Sequence, residues 1–177
     1  ILPFTRVLAG PLDYTPGIIG LYFKEYKPDN RIHTTLAKQL ALMVVIYSPL
    51  QMAADLIENY QGHPAFQFIR DVPVDWDDIK VLNGKIGDYV TIARKKKDAW
   101  YIGSITDENP REFTFKLDFL DEKINYEATI YKDGPSADWK TNPLDYLIEK
   151  KLVKKDDEFQ MKLAPGGGQA VVIKPNE

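Results

Sequence analysis

The sequence predicts an α/β segment over residues 1–79 followed by an all-β segment over residues 80–177. Two observations divide the chain. Short apolar runs alternate with helical periodicity as far as Ile79, and from about Leu82 the period of the apolar residues falls to two. A third, that 44% of residues are hydrophobic and 28% charged, is the balance of a chain that folds on a buried core.

In the first segment, Pro3 to Leu8 reads as a short strand. Gly10-Pro-Leu-Asp-Tyr-Thr-Pro-Gly17 breaks it, and a long loop follows. His33-Thr34-Thr35 offers an N-cap, and Leu36, Leu40, Met43 and Val44 recur at helical spacing, so a helix is expected over Thr34–Tyr47. Ser48-Pro49 stops it. Leu50–Ala54 has the short apolar character of a buried parallel strand with Asp55 at its C-terminal end. Ala65, Phe66, Phe68 and Ile69 indicate a second amphipathic helix, and Val72 to Trp76 lead into a linker. Strand, loop and helix twice over is the order of a parallel α/β fold. Two such units cannot bury their own strands, so further strands are expected before Ile1, which is neither Met nor part of a leader peptide.

The second segment carries about seven strand candidates, at Tyr89–Ala93, Trp100–Ile105, Phe113–Leu117, Tyr126–Tyr131, Tyr146–Val153, Phe159–Leu163 and Ala170–Ile173. Turns bearing Asp, Asn, Gly and Pro separate them at the spacing of an antiparallel β-sandwich.

Bulk properties narrow the function. A net charge of -3 lacks the basic footprint of nucleic-acid binding. There is no Cys for a disulfide or thiolate metal site. The longest apolar stretch, Leu40–Tyr47, falls far short of the roughly 20 residues of a membrane span.

Several segments, taken in order, resemble glycoside hydrolase family 97, the α-glucosidases and α-galactosidases of Bacteroides-type bacteria. They are Leu2-Pro-Phe-Thr-Arg6, Gly10 to Gly17, Leu40 to Tyr60 with its Ser-Pro-Leu-Gln-Met-Ala-Ala-Asp centre, Phe66-Gln-Phe-Ile69, Ala137-Asp-Trp-Lys140 and Gly166-Gly-Gly168. The resemblance covers nearly the whole chain. It implies that residues 1–79 are the C-terminal end of a (β/α)8 barrel and that residues 80–177 are the C-terminal β-sandwich of an exported, periplasmic enzyme acting on oligosaccharides. It also implies a calcium ion beside the active site. Hydrolysis of an α-glycoside needs an acid and a second carboxylate across the scissile bond. The resemblance places both, together with the calcium ligands, before Ile1, so no catalytic or metal-binding residue is expected here and this segment completes and braces the barrel.

Active sites of such barrels lie at the C-terminal ends of the strands. Asp13 and Tyr14 after the first strand, and Asp55 and Glu58 after the second, are therefore the candidate substrate-binding residues, set against turn hydrogen bonding, packing and helix capping. Arg6, on an expected buried strand, needs a charged partner. His33 and His63 lack metal spacing and are expected to cap or to face solvent. Lys95-Lys96-Lys97 reads as a solvated hairpin and Gly166-Gly167-Gly168 as a turn. A rival reading makes the sandwich a stand-alone carbohydrate-binding or protein-interaction module, with Trp100, Tyr101, Trp139 and Tyr146 as a sugar platform.

Overall fold

The computed structural model describes residues 1–23, 27 and 30–176, and in it the two sequence segments share one core. Part of the loop expected after Gly17 lies outside the described residues. Eight strands are formed: β1 (Asp78–Lys85), β2 (Tyr89–Lys96), β3 (Ala99–Thr106), β4 (Arg111–Lys116), β5 (Tyr126–Asp133), β6 (Tyr146–Val153), β7 (Glu158–Leu163) and β8 (Gly168–Pro175). Six make a sheet in the order β1-β2-β3-β8-β5-β6, and β4 pairs with β7 in a second. Every pairing is antiparallel.

Alternation along each strand sends successive side chains to opposite faces. On one face of the large sheet Trp100, Ile102, Ala128, Ile130, Val171 and Ile173 meet Phe159 and Met161 of β7 and Leu117 and Leu120 of the adjoining loop. On the other face Tyr101, Tyr131, Ala170 and Val172 meet Leu36, Leu40, Ala41 and Val44 of helix α1 (Leu36–Val45) and Phe68 of helix α3 (Phe66–Asp71). The result is three layers, with helices above the large sheet and the small sheet below it. Covering on both faces is why Gly168–Ile173 is buried without interruption, where a sheet wet on one side would alternate.

Helix α1 begins where Thr35 accepts the Lys38 N–H at 3.3 Å, one residue inside the expected start. It lies on the sheet at backbone distance because two strand residues have no side chain. A Cβ on Gly103 would sit 2.6 Å from the Ala41 carbonyl oxygen, and one on Gly168 would sit 2.6 Å from Lys38 Cα. Each end of the helix is pinned by a buried charge. At the C-terminal end Arg94 donates from Nε to the Val44 carbonyl at 2.7 Å, a favourable placement of a cation against the helix dipole. Its guanidinium lies over the rings of Tyr47 and Trp76. Burial lowers its pKa to about 10, so it stays charged at neutral pH.

At the N-terminal end Asp133 accepts from the Ala164 and Gly168 N–H groups, both at 2.9 Å. This ties β5 to the turn that enters β8. Burial pushes its carboxyl up to about 6, against the opposing pull of the Thr35 hydroxyl, the two backbone donors and the Lys38 charge. Lys38 is itself held below its ordinary value by burial, and donates to the Thr106 carbonyl at 2.6 Å.

Three expectations are corrected. Pro3–Leu8 is not a strand but a pair of 3-10 turns, Leu2–Phe4 and Arg6–Ala9. The segment meets the sheet through side chains, with Phe4 and Val7 against Val90 and Ile92, and not through its backbone. Arg6 is therefore not buried: it is exposed and donates to the Gly10 and Pro11 carbonyls, 3.2 and 3.1 Å away. Leu50–Ala54 contains a single parallel bridge, Gln51 to Tyr14, in place of a strand, since a strand persists only beside a neighbour that completes its hydrogen bonds.

All seven expected strands are present, and β1 is the eighth. Its Asn83-Gly84 imitates a turn, but the chain absorbs it as an irregularity between Val81 and Asn83 while pairing with β2 continues to Lys85. Helix α2 (Ile57–Tyr60) is a single further turn.

Two outcomes follow. Gly103→Val lowers the unfolding free energy by about 2 to 4 kcal/mol in urea titrations, because the helix must lift from the sheet. Asp133 is protonated more readily when folded than when unfolded. Wild-type stability therefore falls as pH rises from about 4 to 6, and Asp133→Asn flattens that part of the profile, read from melting temperatures across the range.

Candidate functional site

Of the four candidate substrate residues, Asp55 is the most constrained. Its Oδ2 accepts from the Ile19 and Gly20 N–H groups at 2.7 and 2.6 Å. Oδ1 accepts from the Leu56 N–H at 2.8 Å and the Asn59 amide at 2.7 Å. The Asp55 N–H in turn donates to the Tyr60 hydroxyl at 2.9 Å, and that hydroxyl donates to the Gly17 carbonyl at 3.0 Å. One carboxylate and one phenol thus staple the 17–20 loop to the 55–60 turn. Burial alone raises the Asp55 carboxyl, but the donors from Gly20, Asn59, Leu56 and Ile19 outweigh it and hold the group below its ordinary value. Both lone-pair faces of the carboxylate are occupied, so Asp55 shapes a loop. This extends the capping alternative, because the cap reaches 36 residues back along the chain.

Tyr14 is half-buried and packs with Leu12 beside Val90, Ile92 and Ile46. Burial raises its phenol pKa. Asp13 and Glu58 are both exposed. Five cavities of the surface have linings that include none of the four residues.

Several apolar side chains near these residues in the sequence are exposed. Leu8, Leu50, Met52, Leu56 and Ile57 are between 56% and 78% exposed, and Ile1 is 76% exposed. Single exposed apolar residues are ordinary, but Leu50, Met52, Leu56 and Ile57 fall within eight residues of chain that also hold the Gln51–Tyr14 bridge and the Asp55 staple. Exposed apolar surface in residues 1–79 is what the sequence leads one to expect of two units that cannot bury their own strands, although Leu8, Leu50 and Met52 carry it without forming those strands.

The aromatic candidates are occupied by packing. Trp100 and Tyr101 are buried on opposite faces of β3. Trp139 lies against Gly166 and His33, with Arg31 and Lys140 over its ring. Arg31 also donates to the Lys140 carbonyl. Tyr146 stacks on His63. Trp139 also lines a surface cavity with His33, Lys38, Asp107 and Glu108. His63 Nδ1 accepts the Ala65 N–H at 3.2 Å, which is the expected capping role. Lys95–Lys97 lies at the β2–β3 hairpin, where Asp75 and Asp77 neutralise Lys96, and Gly166–Gly168 is the expected turn into β8. Among the described residues no three His, Asp or Glu side chains are placed to hold a metal ion, and no helix is long and apolar enough to cross a membrane.

Residues 75–174 match the family model described as glycosyl-hydrolase 97 C-terminal, oligomerisation. A retaining alpha-galactosidase of Bacteroides thetaiotaomicron is 41% identical over 98% of this chain and 27% of its own length. A probable retaining alpha-galactosidase of Streptomyces bingchenggensis is 33% identical over 58% of this chain and 15% of its own. Among solved structures, a glycoside hydrolase family 97 enzyme from Pseudoalteromonas sp. strain K8, seen in complexes with acarbose and with panose, superposes with a TM-score of 0.94. It is 51% identical over 99% of this chain and 28% of that one. The chain spans about a quarter of the length of the first of these relatives and of the Pseudoalteromonas enzyme.

The staple has a measurable signature. A carboxyl held low in the fold contributes stability above its unfolded pKa, near 4, and loses it as pH falls through the folded value. Asp55→Asn therefore melts below wild type by a constant margin above about pH 5, and the margin closes on acidification. Tyr60→Phe, which removes both the bond from the Asp55 N–H and the bond to the Gly17 carbonyl, costs about 1 to 3 kcal/mol in urea titrations.

Proposed function

Because this chain belongs to glycoside hydrolase family 97 and matches its C-terminal part, we propose that it completes and braces the catalytic (β/α)8 barrel of an exo-acting α-glycosidase, which removes terminal α-linked sugars from oligosaccharides. The observation that carries this reading is the exposure of the apolar residues Ile1, Leu8, Leu50, Met52, Leu56 and Ile57, together with the lone parallel bridge from Tyr14 to Gln51 among the described residues. Neighbouring barrel strands would cover these residues and extend the bridge.

In this reading residues 1–79 are the last β/α units and residues 80–177 the sandwich. Helix α1 is the joint, since it belongs to the barrel by sequence order and packs on the sandwich sheet. Asp13 and Glu58 stand at the pocket mouth, Asp55 sets the loop that borders it, and Tyr14 supports that loop from below. The acid and the second carboxylate come from the preceding part of the polypeptide. The calcium ion that the family resemblance implies would be held there too. The enzyme is exported and acts on oligosaccharides outside the cytoplasm. The complexes of the Pseudoalteromonas enzyme with acarbose and panose, at 51% identity, favour an α-glucoside over an α-galactoside as substrate.

The isolated chain is expected to leave p-nitrophenyl α-glucoside and α-galactoside unhydrolysed, and co-production with the preceding part of the polypeptide to give turnover, on the glucoside in preference. Enzyme-like turnover by the chain alone would put the carboxylates inside it and end the reading.

A further inference from the structure

The large sheet has two free edges, β1 and β6, and they are built differently. β1 is interrupted between Val81 and Asn83, a device that discourages edge pairing, and Phe4 lies against its Gly84. β6 has no interruption. All eight of its residues stay in register with β5, from Tyr146 opposite Asp133 to Val153 opposite Tyr126. Leu147, Ile148 and Leu152 on it are 42%, 39% and 65% exposed. Among the described residues no strand lies beyond β6, and no backbone hydrogen bond of residues 147–152 runs outward. A long, regular edge with exposed apolar side chains is a template for another strand.

We propose that β6 is the edge through which two copies of this chain associate, antiparallel about a two-fold axis at Lys150, joining their large sheets into one. A two-fold perpendicular to the sheet keeps every side chain on its own face, so it opposes only residues an even number apart. Centred on Lys150, it sets Glu149 opposite Lys151 twice and Ile148 opposite Leu152 twice. Centred on Glu149, it sets that carboxylate against itself and Leu147 and Ile148 against lysines. Centred on Lys151, it sets Lys150 against Leu152. The first register alone combines opposite charges with apolar pairs. The two lysines at the axis are each neutralised within their own copy by Glu127 at 2.7 Å. Glu149, which reaches Lys132 at 2.8 Å, is shared with the incoming Lys151.

A second copy is the occupant because the pattern complements itself, and because the family model that covers β6 is described by oligomerisation, a description that names no surface. The preceding part of the polypeptide enters elsewhere: residues 4–14 pack on β2 and against β1, at the opposite edge.

The chain has no Cys, so a single introduced thiol reports one contact. Directly opposed positions across an antiparallel pair are spaced for a disulfide. Lys150→Cys is expected to cross-link on oxidation to a species of twice 20.3 kDa, and Ile79→Cys on β1 is not. By sedimentation, Glu149→Lys and Lys151→Glu each weaken the dimer at least about tenfold through like-charge opposition, and the combined variant restores it. The rescue separates a broken contact from a damaged fold.

A wild-type chain that stays monomeric at ~100 µM, a dimer indifferent to the swaps, or cross-linking at Ile79→Cys in place of Lys150→Cys would overturn the proposal. So would cross-linking that is lost in the longer polypeptide, which would assign the edge to the preceding part of the enzyme. Hydrolysis is not the readout, so the result is independent of the proposed activity.

Discussion

The close seating of helix α1 on the sheet is the constraint from which the rest of the structure follows. Gly103 and Gly168 bring the helix backbone to within a methyl group of the strands, and that approach aligns Leu36, Leu40 and Val44 with Tyr101, Ala170 and Val172. Because the contact is between backbones, small translations of the helix are resisted by hard atoms and not by pliable side chains. The helix cannot slide, and whatever it carries at its ends is positioned with the sheet.

Both ends carry buried charge. Arg94 satisfies a carbonyl at the end of the helix and packs between aromatic faces, while Asp133 gathers backbone donors from the turn before β8 at its start. Neither adds net stability cheaply, since desolvation opposes each ionised form. What they add is specificity: a shifted helix would strand the buried Arg94 guanidinium, while Asp133 fixes the turn on which the start of the helix rests. That rigidity would suit the bracing role proposed for this chain.

The same logic extends outward from α1. Gln51 donates to the Met43 and Ile46 carbonyls at its C-terminal end, and Asp55 and Tyr60 staple the loops around Gly17 and Gly20. The candidate site is therefore organised from the helix side, while Leu50, Met52, Leu56 and Ile57 beside it are exposed. Asp13 and Glu58 are exposed on this scaffold, and their proposed place at a pocket mouth rests on the proposed barrel.

Much of the architecture was legible in the residues. Period-two runs with turns between them identified seven strands, and Thr35 marked the start of α1, because alternation and capping are local rules that each segment obeys alone. Pro3–Leu8, Leu50–Ala54 and the place of Asp55 were not legible in this way. A strand is defined by its neighbour, and an apolar pentapeptide reads alike whether or not a neighbour is present. The donors to Asp55 come from residues 36 and 35 positions away, which no local pattern records. Sequence alone thus determined the periodicities, the turns and the family, all carried by residues close together in the chain. Tertiary structure decided which apolar runs become strands, which carboxylate is consumed by a loop and which edge stays open, because each is settled by what lies across a gap that the chain closes only on folding.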